Sequence, residues 1–73
     1  MKVKVKSEIA GQVWKVIASV GDALAEDDVI IILESMKMEI PVLAQRAGKL
    51  AALHVSEGDI ISEDQAVAEL EVS

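Results

Sequence analysis

One lysine in this chain has surroundings that point to chemistry. Lys37 stands between Met36 and Met38, inside the run Glu34-Ser35-Met36-Lys37-Met38-Glu39. An exposed lysine amine is a weak nucleophile. With a reference pKa near 10.4, only about 0.04% of such an amine is neutral at pH 7. It forms an amide when an activated acyl group is brought to it. Two methionines in a stretch where polar residues are expected can fill gaps in the core, or they can stay exposed as an apolar grip for a partner. Lys2, Lys4, Lys6, Lys15 and Lys49 have no such frame and read as solvated surface charges.

Little else in the sequence is reactive. There is no cysteine, so a thiolate nucleophile, a thiolate metal site and a disulfide are all excluded. His54 is the sole histidine and has no visible partner for nucleophilic catalysis. It reads as a structural or surface strand residue. Glu26-Asp27-Asp28 could attract a cation, but its spacing fits no EF-hand loop, and a solvated turn is the simpler reading. No acid–base pair and no phosphate loop can be found. The expectation is a chain with no catalytic residues and no metal site, which makes an enzyme the weakest of the functional readings.

The elements that position Lys37 follow from an internal repeat. Lys37 has 36 residues on either side. A shift of 37 positions aligns the halves without a gap. Identical pairs are Met1/Met38, Val5/Val42, Ala10/Ala47, Gly11/Gly48, Ser19/Ser56, Gly21/Gly58, Asp22/Asp59, Glu26/Glu63, Asp27/Asp64, Leu33/Leu70 and Glu34/Glu71. These are 11 identities in 36 pairs, where such a composition gives about three by chance. Val13/Leu50, Val16/Leu53, Leu24/Ile61 and Ile30/Val67 correspond in character. Only Lys37 lacks a counterpart.

Each half reads as short strands. Val3 and Val5 alternate with Lys2, Lys4 and Lys6, as in a half-buried strand with a cationic outer face, suited to a sheet edge. Ala10-Gly11 reads as a turn and Gln12 to Val20 as a second strand. Gly21-Asp22 and Ala25 to Asp28 break the chain again. Val29 to Leu33 is a continuous apolar run, consistent with a strand buried on both faces. Glu34 to Glu39 favours helix by propensity. However, Pro41 stops a helix within about a turn, and the segment is too short to stand alone as one. Leu33-Glu34 also corresponds to Leu70-Glu71, which closes a run alternating Val67, Glu69, Glu71 with Ala68, Leu70, Val72. The spacing therefore predicts a hairpin over Ile30 to Val42 with its tip at Met36-Lys37. Two-residue hairpin turns prefer Asn-Gly or Asp-Gly. Met and Lys there cost on the order of 1–2 kcal/mol in the left-handed region, and such overrides gather at functional sites.

The expected fold is all-β: a small flattened barrel or sandwich of two four-stranded sheets with two-fold pseudosymmetry. Met1 and Ser73 should lie side by side, at the end opposite Lys37. At 73 residues one domain, 1–73, is expected. Trp14 is the only aromatic residue, so the core must be aliphatic. No apolar run is long enough to cross a membrane. The basic start has no apolar stretch after it, unlike a signal peptide, so a cytoplasmic monomer is the expectation. A net charge of −6 argues against nucleic acid as a partner.

The run Glu34 to Glu39 resembles the attachment motif of biotinyl domains in the biotinyl/lipoyl attachment family, in which the lysine between two methionines carries biotin. The resemblance extends over essentially the whole chain, through Gly11, Gly48, Gly21-Asp22, Gly58-Asp59 and Ile40-Pro41-Val42-Leu43-Ala44. It implies that biotin is attached covalently to Lys37 by a biotin protein ligase. It also implies that the domain shuttles a carboxyl group between biotin carboxylase and carboxyltransferase sites. Met36, Met38, Glu34, Ser35 and Glu39 become candidate contacts for the ligase, with Glu34 and Glu39 equally readable as cross-strand neighbours. Met38 is expected to pack partly on the core, and Met36 to be the more exposed. Three departures from the family pattern stand out. Asp27 and Asp64 occupy turns where glycine is usual, and Ile9 stands where methionine or proline is common. There is also no room for the thumb loop of some biotin carriers. A lipoyl carrier would use the same lysine, but lipoyl domains usually have aspartate before it and alanine after it. The reading from another class is a structural interaction module whose hairpin methionines bind a partner.

Overall fold

A computed structural model describes residues 1–72, so the sequence expectation for Ser73 lies outside the described residues. Eight strands are present: β1 (Lys2–Lys6), β2 (Gly11–Val16), β3 (Ala23–Leu24), β4 (Val29–Ser35), β5 (Met38–Leu43), β6 (Gly48–Leu53), β7 (Ile60–Ile61) and β8 (Ala66–Glu71). They form two four-stranded antiparallel sheets, ordered β1-β8-β6-β3 and β5-β4-β2-β7. A shift of 37, added to first-half residues and subtracted from second-half ones, converts one sheet into the other strand for strand. There is no helix among the described residues, and hence none long and apolar enough to cross a membrane.

The core is aliphatic and is built in equivalent pairs. Ile30, Ile31, Leu33, Leu50, Val67, Ala68 and Leu70 are wholly buried between the sheets. Fully burying a side chain such as Leu33 or Leu70 is worth roughly 1.5–3 kcal/mol. Gly11 and Gly48 let the backbone pass close to the ends of β4 and β8. A Cβ on Gly11 would stand 2.9 Å from Glu34 O, and one on Gly48 would stand 2.6 Å from Glu71 O. The polar turns are also duplicated. Asp22 accepts a hydrogen bond from Ser19 N at 2.9 Å, and Asp59 accepts one from Ser56 N at 2.9 Å. These carboxylates close their turns from the side chain.

The structure corrects three expectations. First, Gly11 is not in a turn but opens β2, where it faces Ile61 on β7. Second, β2 ends at Val16 rather than Val20. Ile17 N and Ala18 N both donate to Ile30 O, at 2.9 and 3.1 Å, which turns the chain into the core and ends the ladder. Third, β4 is buried on one face only. Ile30 and Ile31 are both buried because a bulge between Val29 and Ile31 inserts an extra residue, while Ile32 faces outward and is half-exposed. An irregularity at the equivalent place, between Val5 and Lys6, lets Val67 and Ala68 be buried together.

The molecule measures 36 × 18 × 18 Å. β1 starts at the amino terminus and β5 starts at the Lys37 turn. Their far ends, Lys6-Ser7 and Leu43-Ala44, line one groove. Strands of five and six residues each cover about 17–20 Å. Laid end to end, they account for the long axis. Met1 and Val72 are therefore at one end and Lys37 is at the other.

Candidate functional site

The hairpin β4–β5 is set by its cross-strand register. Leu33 faces Ile40, Glu34 faces Glu39, and Ser35 faces Met38. This leaves Met36 and Lys37 as a two-residue turn with φ of 51° and 64°. Both central residues are thus left-handed, as a type I′ turn requires and as neither residue favours. Pro41 fits because β5 is an edge strand, where one side of the backbone has no ladder partner.

The turn presents its side chains to solvent. Met36 is 92% exposed, and Lys37 is exposed and takes part in neither ion pair found among the described residues. Such an amine can accept an acyl group without breaking an existing interaction. Met38 is the less exposed of the two methionines, as the sequence reading had it, but at 62% exposed its packing on the core is slight. Alternation places it on the same side of β5 as Ile40 and the buried Val42, nearer the turn than either. Ser35 is half-buried at the end of β4. Glu34 and Glu39 are direct cross-strand neighbours, both exposed. Like charges in that relation destabilise a sheet, so the pair is not there for the hairpin's own stability.

The remaining candidates lie elsewhere. His54 sits just beyond β6, with Nε2 2.8 Å from Glu69 Oε2 on β8. Asp28 accepts a hydrogen bond from Ala25 N at 2.8 Å, which gives one carboxylate of the acidic cluster a turn-closing role. Among the described residues no group of three or more His, Cys, Asp or Glu side chains could hold a metal ion. Trp14, Ile32, Pro41 and Leu43 face outward on the hairpin's own sheet, and sequence reasoning did not join them into one surface. A signal existed in the repeat, because their counterparts are Ala51, Glu69, Lys4 and Lys6.

An exposed lysine thus stands in a left-handed turn at one tip of a duplicated all-β sandwich. A family model described as "Biotin-requiring enzyme" matches residues 1–70. The chain belongs to the biotinyl/lipoyl attachment family. It is 47% identical over 64 residues to a biotinylated protein TB7.3 homolog of Mycobacterium leprae, covering 88% of this chain and 90% of the relative. It is 41% identical over 66 residues to a biotin/lipoyl attachment protein of Bacillus subtilis, covering 90% of each. Among solved structures, the urea carboxylase of Kluyveromyces lactis superposes with a TM-score of 0.93 at 34% identity, over 97% of this chain. The match occupies only 6% of that much longer chain.

Proposed function

We propose that this chain, as a single attachment domain over 1–73, is a biotin carrier modified at Lys37. The observation that supports this best is the Lys37 amine itself. It is solvent-exposed, takes part in no ion pair among the described residues, and is held by a left-handed turn between two exposed methionines. The carrier does no catalysis of its own. In the modification step, the neutral Nζ of Lys37 attacks the acyl carbon of biotinyl-adenylate on a biotin protein ligase. The new C–N bond is an amide, the C–O bond to phosphate breaks, AMP leaves, and the nitrogen gives up a proton. Once attached, biotin supplies a site that takes up one carboxyl group and releases it. The chain's own residues keep the arm at the far end of a rigid body and hold it at high effective concentration near each enzyme site.

The partners on this reading are a biotin protein ligase and the biotin carboxylase and carboxyltransferase components of a carboxylase. The carrier works as a monomer in the cytoplasm. Met36 and Met38 favour biotin over lipoate. The test is to express the chain with a biotin ligase and both cofactors available, then map any adduct by mass spectrometry. One biotin on Lys37, and none on a Lys37→Ala variant, is the expected result. Biotin retained by Lys37→Ala would refute the site, and lipoate in its place would refute the cofactor.

A further inference from the structure

The outer faces of the two sheets occupy equivalent positions but are made of different residues. On the β1-β8-β6-β3 sheet, Lys49, Glu71 and Lys2 stand in one row across three strands. In the next row Lys4 stands beside Glu69. Opposite charges alternate from strand to strand, as a solvated face prefers. On the β5-β4-β2-β7 sheet the equivalent row is Gln12, Glu34 and Glu39, with its two carboxylates opposed. The next row is Lys15, Ile32 and Pro41. Leu43 stands where the other face has Lys6. Trp14, at the β2 irregularity, is 44% exposed, with Lys15 Nζ 5.3 Å from its ring centroid.

The same backbone supports the charged version of this face, so folding does not require the apolar one. An apolar run on an outer face, with Trp14 and Pro41 exposed and Ile32 and Leu43 half-buried, marks a surface that something covers. The band runs from Trp14 across Ile32 to Pro41 and Leu43. It then turns over the edge of β5 into a groove of about 270 Å³ that includes Ile9 and Ile40, with Lys6, Glu8 and Asp27 on its wall.

We infer that this face is the docking surface for the biotin protein ligase, an inference that rests on the biotin-carrier reading. The ligase would set an apolar patch against Trp14, Ile32, Pro41 and Leu43, and basic side chains against Glu34 and Glu39. Charge complementarity selects a basic partner. A second copy of this chain would bring the same acidic row and the same net charge of −6. Continuity selects the protein that handles Lys37, because the band lies on the two strands that carry the turn. Size agrees as well. A specific interface takes about 800 Å² per partner. With 4512 Å² of surface on the whole chain, a two-residue tip cannot supply that share, and the contact must spread along the strands.

Trp14 is the only tryptophan, so the unmutated chain can report on its own face. Replace it biosynthetically with 5-fluorotryptophan and record the single ¹⁹F resonance as unlabelled, purified ligase is added. The expected result is a shifted or broadened line. Steady-state biotinylation should show KM raised about tenfold for Trp14→Ser and for Leu43→Ser, with kcat within about twofold, since the turn is intact. Lys4→Ala and Lys49→Ala, on the other face, should leave KM unchanged. A ligase that biotinylates wild type while the fluorine line stays still and Trp14→Ser keeps its KM overturns this inference alone. Wild type that takes no biotin overturns the carrier reading, and this inference with it. A fluorine line that moves with the chain's own concentration before ligase is added makes a second copy the occupant and also overturns it. If a variant fails to fold, the fluorine titration of the unmutated chain decides.

Discussion

The two ends of the molecule are equivalent by the repeat, yet only one of them is strained. At the terminal end, Met1 and Val72 close β1 against β8 without a turn. The amino terminus donates to Val72 O at 2.9 Å, and Val72 N donates to Met1 O at 2.7 Å. At the hairpin end their counterparts, Met38 and Ser35, face each other in the same way. There the chain is continuous, and the crossing is made by two left-handed residues, neither of them glycine or asparagine. Elsewhere left-handed residues come in matched pairs, Gly21 with Gly58 and Asp27 with Asp64. Met36 and Lys37 are the unmatched ones. The fold needs a crossing at this point, but it does not need these residues to make it, so the choice reflects what the turn presents to solvent.

The equivalence of the halves can be broken most severely in the core. Leu33 and Leu70 are paired by the repeat and both wholly buried. Leu33→Ala and Leu70→Ala should each cost about 2–5 kcal/mol, read by urea unfolding. If the halves share the load, the two losses agree within about 1 kcal/mol. One large loss beside a small one would show that the sheets are alike in shape but not in energetics.

A smaller effect, of opposite sign, separates inherited strain from functional strain. Asp27 and Asp64 have φ of 73° and 66° at matching turns. Removing the Cβ there relieves about 1–2 kcal/mol of left-handed strain and gives back about 0.5–1 kcal/mol as chain entropy. Asp27→Gly and Asp64→Gly should therefore each stabilise by up to about 1 kcal/mol and raise the thermal midpoint by a few degrees, without changing biotin transfer. If either lowers the midpoint, the aspartate side chain contributes more to its turn than the strain costs.

What could be read from the sequence depended on whether a feature leaves a trace in residue type. The turn at Lys37 was legible because Pro41 excluded a helix and the match of Leu33-Glu34 to Leu70-Glu71 required strand. The two sheets were legible because eleven identities kept a single shift of 37. The bulges were not. Ile30 and Ile31 are both apolar whether the strand is buried on two faces or kinked on one, so composition cannot tell these apart. The end of β2 was also hidden, because Ile17 and Val20 are good strand formers and the ladder stops for a reason held by Ile30 O on another strand. The order of exposure, Met36 above Met38, was legible from turn and strand position, but its extent was not, because alternation gives the side of a strand and not how much covers that side.

The smallest effects on stability belong to the two methionines, and these test the contrast between the ends most directly. Met36 is 92% exposed and Met38 62% exposed, so neither gains much of the roughly 1.5–3 kcal/mol that full burial would give. Alanine at position 36 keeps a Cβ, and with it the left-handed strain, so Met36→Ala should shift the thermal midpoint very little. Met38→Ala should also change stability by less than about 1 kcal/mol, more than Met36→Ala but far less than a core substitution. Met1 is the repeat counterpart of Met38 and is 69% exposed, which sets the comparison. If exposed methionine is kept at the hairpin end for a partner, Met36→Ala and Met38→Ala slow biotin transfer by the ligase while their midpoints stay near wild type. Met1→Leu leaves both quantities unchanged. A Met36→Ala variant that transfers at the wild-type rate but loses several kcal/mol would make Met36 a structural residue. The two ends would then differ in backbone strain alone.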